Sequence, residues 1–215
     1  MKCLICEQEA HKKFDLPVNK CSGGSLLVDG EPVNYYECTK CFFLFAKHEI
    51  DYTKYWDVIE EPNNGRVLET MRLYLLSDGI GKSVLDYGCG KGFSIQAFRE
   101  LGIDADGCDV EKTDLVYSID RAPKKDIVVA CEVVEHFVDP VASFKHMASL
   151  ANESIAFQTA YYDRQTCHRD WWYLGPANGH ISLYSPQSLD VLAEIIGVKN
   201  KVTWKGYLGI QSWKI

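Results

Sequence analysis

The chain has no apolar run long enough to span a bilayer, and Met1-Lys2-Cys3 does not open a signal-peptide core. No membrane partner and no secretion are therefore expected, and the sequence reads as cytoplasmic. A basic surplus is also missing. Lys and Arg number 23 against 30 Asp and Glu, a formal charge of −7, which argues against broad nonspecific binding of nucleic acid but leaves room for a local basic patch. No internal repeat or low-complexity tract is present. The nine cysteines are an odd number without a secretion signal, so reduced thiols with a metal site fit better than a disulfide framework. What remains is the composition of a globular protein, 47% hydrophobic and 25% charged, in 215 residues. That length accommodates one full α/β domain and a small appendage.

The most informative stretch is Val84-Leu85-Asp86-Tyr87-Gly88-Cys89-Gly90-Lys91-Gly92. Val84–Tyr87 reads as a short buried strand, Gly88, Gly90 and Gly92 as a tight turn, and residues 94–101 as a helix. A strand, a glycine turn and a helix bring backbone N–H groups to the C-terminal edge of a sheet, where a nucleotide-like ligand can lie. Asp109 closes a second strand, 104–109, and stands 21 residues after Gly88, an offset at which a carboxylate can take both hydroxyls of a ribose.

This stretch resembles the first motif of the class I S-adenosylmethionine (SAM) dependent methyltransferases, with Asp109 as the acid that follows it. The resemblance implies a Rossmann-like α/β fold, a seven-stranded sheet flanked by helices. It also implies that Asp86 and the loop Gly88, Cys89, Gly90 and Gly92 hold the amino-acid end of SAM. Asp109 and the following Val110 would face the ribose, and Asp120 would frame the adenine. Cys131 and Glu132, which follow a further strand, would lie beside the cofactor, and Tyr52, Tyr55 and Trp56 would form an aromatic lid. Read from residue type alone, Asp120 is equally a solvated loop acid, and the linker aromatics equally pin the linker to the core.

Asp126–Ala130 is a continuous apolar strand of the kind buried on both faces of a parallel sheet. It leads into Cys131-Glu132-Val133-Val134-Glu135-His136-Phe137-Val138-Asp139-Pro140, which resembles the fourth methyltransferase motif. Spacings of three and four would set Glu132, Glu135 and His136 on one side of a helical turn. Three roles are open to them. They can hold Mg²⁺, as the same E-x-x-E-H arrangement implies by its resemblance to ubiquinone-pathway and small-RNA methyltransferases. They can act without metal, with Glu135 or His136 as general base, or they can cap the turn. The long segment 160–185 carries Tyr161, Arg164, Arg169, Trp171, Trp172 and Tyr173, suited to stacking on a ring and meeting phosphate or to forming a core of its own. Its Gly179-His180-Ile181 resembles a stretch of the same methyltransferases and makes His180 a further catalytic candidate, as base or as metal ligand.

Cys3-x-x-Cys6 and Cys38-x-x-Cys41 are two knuckles 31 residues apart. Four thiolates at this spacing can close a tetrahedral shell around Zn²⁺, and the alternative is four ordinary reduced cysteines. The arrangement resembles the zinc-ribbon heads of bacterial methyltransferases, some acting on nucleotide-linked sugars. The expected organisation is a head at 1–50, a lid linker and first helix at 51–80, and a core at 81–215. The expected activity is methyl transfer to a hydroxyl of a sugar, nucleotide-sugar or other small metabolite. The alternatives are metal-assisted RNA 2′-O-methylation and a SAM-binding pseudoenzyme that serves as a docking module.

Overall fold

The computed structural model describes residues 1–20, 31–47, 64–110, 113–204 and 208–215. Cys21, Tyr52, Tyr55, Trp56 and Asn63 lie outside the described residues, and with them the expected aromatic lid. In chain order come β1 (Ala10–Leu16), β2 (Val33–Cys38), β3 (Leu44–Ala46), α1 (Asn64–Leu76), β4 (Val84–Tyr87), α2 (Phe93–Glu100), β5 (Ala105–Asp109) and β6 (Tyr117–Ser118). There follow β7 (Lys125–Cys131), α3 (Pro140–Leu150), β8 (Ala151–Thr159), β9 (Ser182–Leu183), α4 (Pro186–Ile196), β10 (Asn200–Trp204) and β11 (Gly209–Lys214). Two compact units contain them.

One unit comprises residues 51–133, 144–158 and 197–215. Its described strands make a seven-stranded sheet in the order β10-β11-β8-β7-β4-β5-β6. β4 runs parallel to both β5 and β7, and β7 parallel to β8, while the edge pair β10–β11 is antiparallel. The apolar run Ile127–Ala130 is buried throughout rather than alternating, because helices cover both faces of a parallel sheet. Leu73 and Tyr74 of α1 and Ile95 and Phe98 of α2 pack on Val84, Ile127 and Val129. Burying each such side chain stabilises the fold by about 2 kcal/mol. Trp213 on β11 meets Phe157 edge-on at 4.8 Å. Since β4 is the first strand of this sheet and lies between β5 and β7, the strand order reverses there, and such a switch point opens a ligand crevice at the carboxyl ends of the strands.

The other unit comprises residues 1–50, 134–143 and 159–196. Among its described residues β1-β2-β3-β9 form a four-stranded sheet. A register shift between Lys12 and Phe14 breaks the β1–β2 ladder. The compact units therefore do not follow a linear division at 50 and 80. Leu183 pairs with Leu44 and Ser182 with Phe45, so the late segment completes the sheet of the N-terminal head. Tyr162, Tyr173, Leu174 and Tyr184 are fully buried and build the interior of this unit, whereas Tyr161 and Trp171 are half-buried and Trp172 is exposed. β9, two residues long, carried no clear periodic signal and is held in place by its partner β3.

Candidate active site

In the seven-stranded unit, the glycine turn follows β4 as its sequence implies. Gly88 N–H and Cys89 N–H both donate to Cys108 O, at 2.7 and 3.2 Å, which ties the turn to the neighbouring strand. Gly90 stands at φ 57°, and a Cβ built there would meet nothing within 4 Å, so its main chain faces open space that a ligand can approach. Asp109, at the tip of β5, accepts from Gly90 N–H at 2.8 Å through Oδ2 and from Val110 N–H at 2.7 Å through Oδ1. The acid is thus fixed by the loop whose ligand it would share. Asp86 is 4% exposed and accepts from Ser94 Oγ in the first turn of α2. Burial pushes its carboxyl up to about 7, against the opposing pull of the Ser94 hydroxyl and the Arg66 charge.

Asp120 lies in a 3₁₀ turn, Ile119–Arg121, just beyond Ser118, which pairs with Asp109. It is exposed, and a hydrogen bond from Ser118 holds its carboxyl below the usual range. Cys131 closes β7, and Glu132 follows at φ 57°, in the left-handed region. This corrects one expectation: Glu132 is not on a helical turn with Glu135 and His136, since the 3₁₀ turn begins only at Val134 and a positive φ ends helical continuity. Ser94 and Gly107 were missed by the sequence reading. A Cβ at Gly107 would lie 2.2 Å from Ile95 Cδ1 and 2.7 Å from Cys89 Sγ, so this glycine lets β5 pass under the turn.

In the other unit, the ligand atoms of Glu135, His136 and His180 all lie within 4.8 Å of one another. Glu135 is 0% exposed. Its Oε1 accepts from Tyr173 Oη at 2.6 Å, while Oε2 is buried without a hydrogen-bond donor among the described residues. His136 Nδ1 lies 3.1 Å from Gly179 O, and His180 Nδ1 lies 2.7 Å from Tyr173 O. A carbonyl oxygen only accepts, so each Nδ1 carries the hydrogen and each Nε2 the lone pair. Ile181 N–H donates to Glu135 O, and Tyr35 Oη donates to His180 O at 2.8 Å, which fixes the backbone under both residues. Tyr173 therefore touches two members of the group through two different atoms. Its only sequence signal was membership of an aromatic run. Arg164 and Arg169, expected at a phosphate, are taken up by Glu37 at 3.3 Å and Asp15 at 3.9 Å.

The four knuckle cysteines also converge, with Sγ separations of 3.7 Å for Cys3–Cys41, 3.4 Å for Cys6–Cys38 and 3.5 Å for Cys6–Cys41. These are too long for a disulfide and close to the roughly 3.8 Å edge of a tetrahedron with metal–sulfur bonds of about 2.3 Å. Ile5 N–H donates to Cys3 Sγ, and the N–H groups of Lys40 and Cys41 donate to Cys38 Sγ. Such donors favour thiolates. Hydrogen bonding from Cys41 brings the Cys3 thiol down to about 5, and burial pushes Cys6 up.

The profile of a methyltransferase domain matches residues 61–201. The chain belongs to this family. Its fold is that of the class I SAM-dependent methyltransferases. Among curated proteins it is similar to the ubiquinone biosynthesis O-methyltransferases of Vibrio campbellii, 28% identical over 128 residues, and of Vibrio vulnificus (strain YJ016), 29% identical over 124. These alignments cover 47% and 46% of this chain. They cover 54% and 53% of those proteins, so the chain spans about half the length of the curated relatives it matches. Two solved structures share the fold. One is an O-methyltransferase family protein from Burkholderia thailandensis, with TM-score 0.54 and 12% identity over 75% of this chain and 60% of that one. The other is the magnesium protoporphyrin IX methyltransferase of Synechocystis PCC 6803 with bound SAH, with TM-score 0.52 and 16% identity over 78% and 89%. The methyltransferase match takes in Asp86, the glycine turn, Asp109 and Glu135–His136, and leaves the four cysteines outside it.

Proposed function

We propose that the chain transfers a methyl group from SAM to a hydroxyl of a small polar metabolite, of the sugar or nucleotide-sugar class. The observation that carries the cofactor half is the pair of strand-end acids around an open glycine turn, Asp109 being held in place by Gly90 N–H. Asp86 and the turn would hold the amino-acid end of SAM, Asp109 the ribose and Asp120 the adenine. SAM, when bound, supplies an electrophilic methyl group on a sulfonium. The chain's own work is then to bind the acceptor, orient its oxygen and remove its proton.

For proton removal, the group Glu135, His136 and His180 supports the reading best. Two imidazoles are locked by backbone carbonyls in the tautomer whose Nε2 accepts a proton, and a buried carboxylate lies near enough to stabilise the cation that forms. Glu135 and His136 follow Cys131, the last residue of β7, within five positions, which fits a role in the same reaction. The acidic net charge and the engagement of Arg164 and Arg169 by carboxylates favour a small acceptor over a polyanion. In the head, Cys3, Cys6, Cys38 and Cys41 would hold Zn²⁺ as a structural ion.

The test is transfer of labelled methyl from SAM into separated pools of nucleotide-sugars, polysaccharide, small metabolites and RNA. Label in a small-molecule pool, lost in His136→Ala while SAM affinity is kept, is the expected result. Label confined to RNA, or wild-type turnover in His136→Ala, would overturn the reading.

A further inference from the structure

We propose that Lys20 is a positioning residue for the two histidines, holding the stretch 171–179 so that its carbonyls fix His136 and His180 in the Nδ1–H tautomer. The inference rests on the reading of these histidines as the proton-removing group and supplies what keeps them in place.

Three contacts converge on Lys20. It ends the short turn that follows β1, where its own N–H donates to Pro17 O at 3.0 Å. From there its Nζ donates to Trp171 O at 3.2 Å and to Leu174 O at 2.8 Å, 151 and 154 residues further along the chain. Its main-chain oxygen accepts from Ala177 N–H at 3.0 Å. One residue thus fastens the stretch at 171, 174 and 177.

That stretch is two turns in series. Leu174 N–H donates to Trp171 O and closes the first, and Gly179 N–H donates to Pro176 O and closes the second, the 3₁₀ turn Pro176–Asn178. Tyr173 lies in the first turn, between the two carbonyls that Lys20 takes. Gly179 ends the second, two residues after Ala177. These are the two residues whose carbonyls accept from His180 and His136. Tyr173 also gives its hydroxyl to Glu135. Every member of the group therefore depends on a turn that Lys20 holds.

A lysine beside water ordinarily extends its ammonium into it. Lys20 is half-buried and turns its ammonium onto main-chain oxygens instead. Burial pulls its pKa down, against the opposing charge of Asp170. Hydrogen bonds from a charged donor are shorter and stronger than neutral ones, and a lysine suits the carbonyls left open at the end of a turn. The consequence for proton removal is direct. A base must present its lone pair within hydrogen-bond reach of the proton, and a displacement of about 1 Å can cost roughly a hundredfold in rate. An imidazole released from its carbonyl is also free to carry its hydrogen on Nε2, which removes the base.

The experiment uses the full chain with ¹⁵N-labelled histidine, whose long-range N–H correlation spectra read the tautomer of each ring without any substrate. In the wild-type chain His136 and His180 should each show the Nδ1–H tautomer alone. In Lys20→Met both should become mixed, with SAM affinity unchanged by equilibrium dialysis and labelled-methyl transfer into the small-molecule pool lowered about tenfold or more. Lys20→Arg keeps the charge and the donors and should restore the single tautomers and most of the transfer. Should Lys20→Met fail to fold, Lys20→Gln, which keeps N–H donors and drops the charge, carries the same readouts. Unchanged tautomers without the ammonium, or a loss that arginine does not restore, would overturn the proposal. Mixed tautomers with full methyl transfer would support the hold of Lys20 on the stretch and defeat the histidines as the base, so the two failures are told apart.

Discussion

Asp86 combines deep burial with a position at the end of β4, and its protonation should be visible in cofactor binding. Burial raises its carboxyl to about 7, so in the folded chain the acid takes up its proton well above the pH at which an exposed aspartate would. Ionised Asp86 is thus a destabilising element of the ligand-free fold. Its cost grows as pH rises from about 4 towards 7, where the folded chain holds a proton that the unfolded chain has released. A cationic ligand reverses the preference. We predict that SAM affinity rises with pH up to about 7 and that binding at pH 6 releases a proton, read by calorimetry in buffers of different ionisation enthalpy. Asp86→Asn should flatten the profile; an unchanged slope would remove Asp86 from the site. Asp109 keeps both oxygens on main-chain donors, so Asp109→Ala removes the proposed ribose partner and also frees the loop. SAM affinity should fall about tenfold or more, a loss typical of hydrogen bonds to a charged group, and equilibrium dialysis would show it.

At the scale of elements, two short segments depend on chemistry more than on propensity. β3 has three residues, Leu44–Ala46, and follows the second knuckle directly. An ion held by the four convergent cysteines would brace β1, β2 and β3 in addition to their buried residues Tyr35, Leu44 and Phe45. Chelation of the ion proposed at the four cysteines, or Cys38→Ser, should therefore release amide protons of β1–β3 to exchange before those of β4, β7 and β8. Uniform exchange across both sheets would contradict a structural ion. The 3₁₀ turn Val134–His136 is the second such segment. Tyr184 Oη donates to Val134 O, Ser182 Oγ donates to Phe137 O, and Tyr173 Oη donates to Glu135, so side chains from β9 and from the stretches on either side of it hold the turn. Tyr173→Phe deletes one hydroxyl and keeps the ring and the carbonyl that orients His180. Methyl transfer should drop about tenfold and the melting temperature should fall by a few degrees, because the buried carboxylate loses its donor; transfer at the wild-type rate would show that Glu135 needs no support.

Across the whole molecule, the chain passes repeatedly from one compact unit to the other, with residues 134–143 and 159–196 grouped with the head. β9 pairs with β3, and Tyr162 Oη donates to the buried Glu37 of β2. Removing residues 1–50 would expose Leu183 and Tyr184 and leave Tyr162 without its acceptor. We predict that the chain 51–215 is produced insoluble or without cooperative unfolding, measured by thermal denaturation. A soluble fragment with a sharp transition would show that the late segment folds without the head.

The sequence by itself placed the strand, glycine turn and helix and the two acids proposed to meet the cofactor, and its resemblance to the methyltransferases implied the seven-stranded sheet. Asp86, the glycine turn and Asp109 fall within a short span, and each is placed by a local rule: a buried strand ends, glycines turn, a helix begins. Only the tertiary structure decided the grouping of Glu135 and His136 with His180, more than forty residues later, and the separation of Glu132 from their turn. Periodicity reads along one element and is blind to a partner delivered by a distant one. It was equally blind to Tyr173, whose ring, hydroxyl and carbonyl act on different neighbours. The fate of Arg164 and Arg169 was also settled in space, since Glu37 and Asp15 reach them only once β1 and β2 are folded beside the late segment. Local sequence placed the acids expected to hold the cofactor, and long-range packing assembled the group proposed to act on the acceptor.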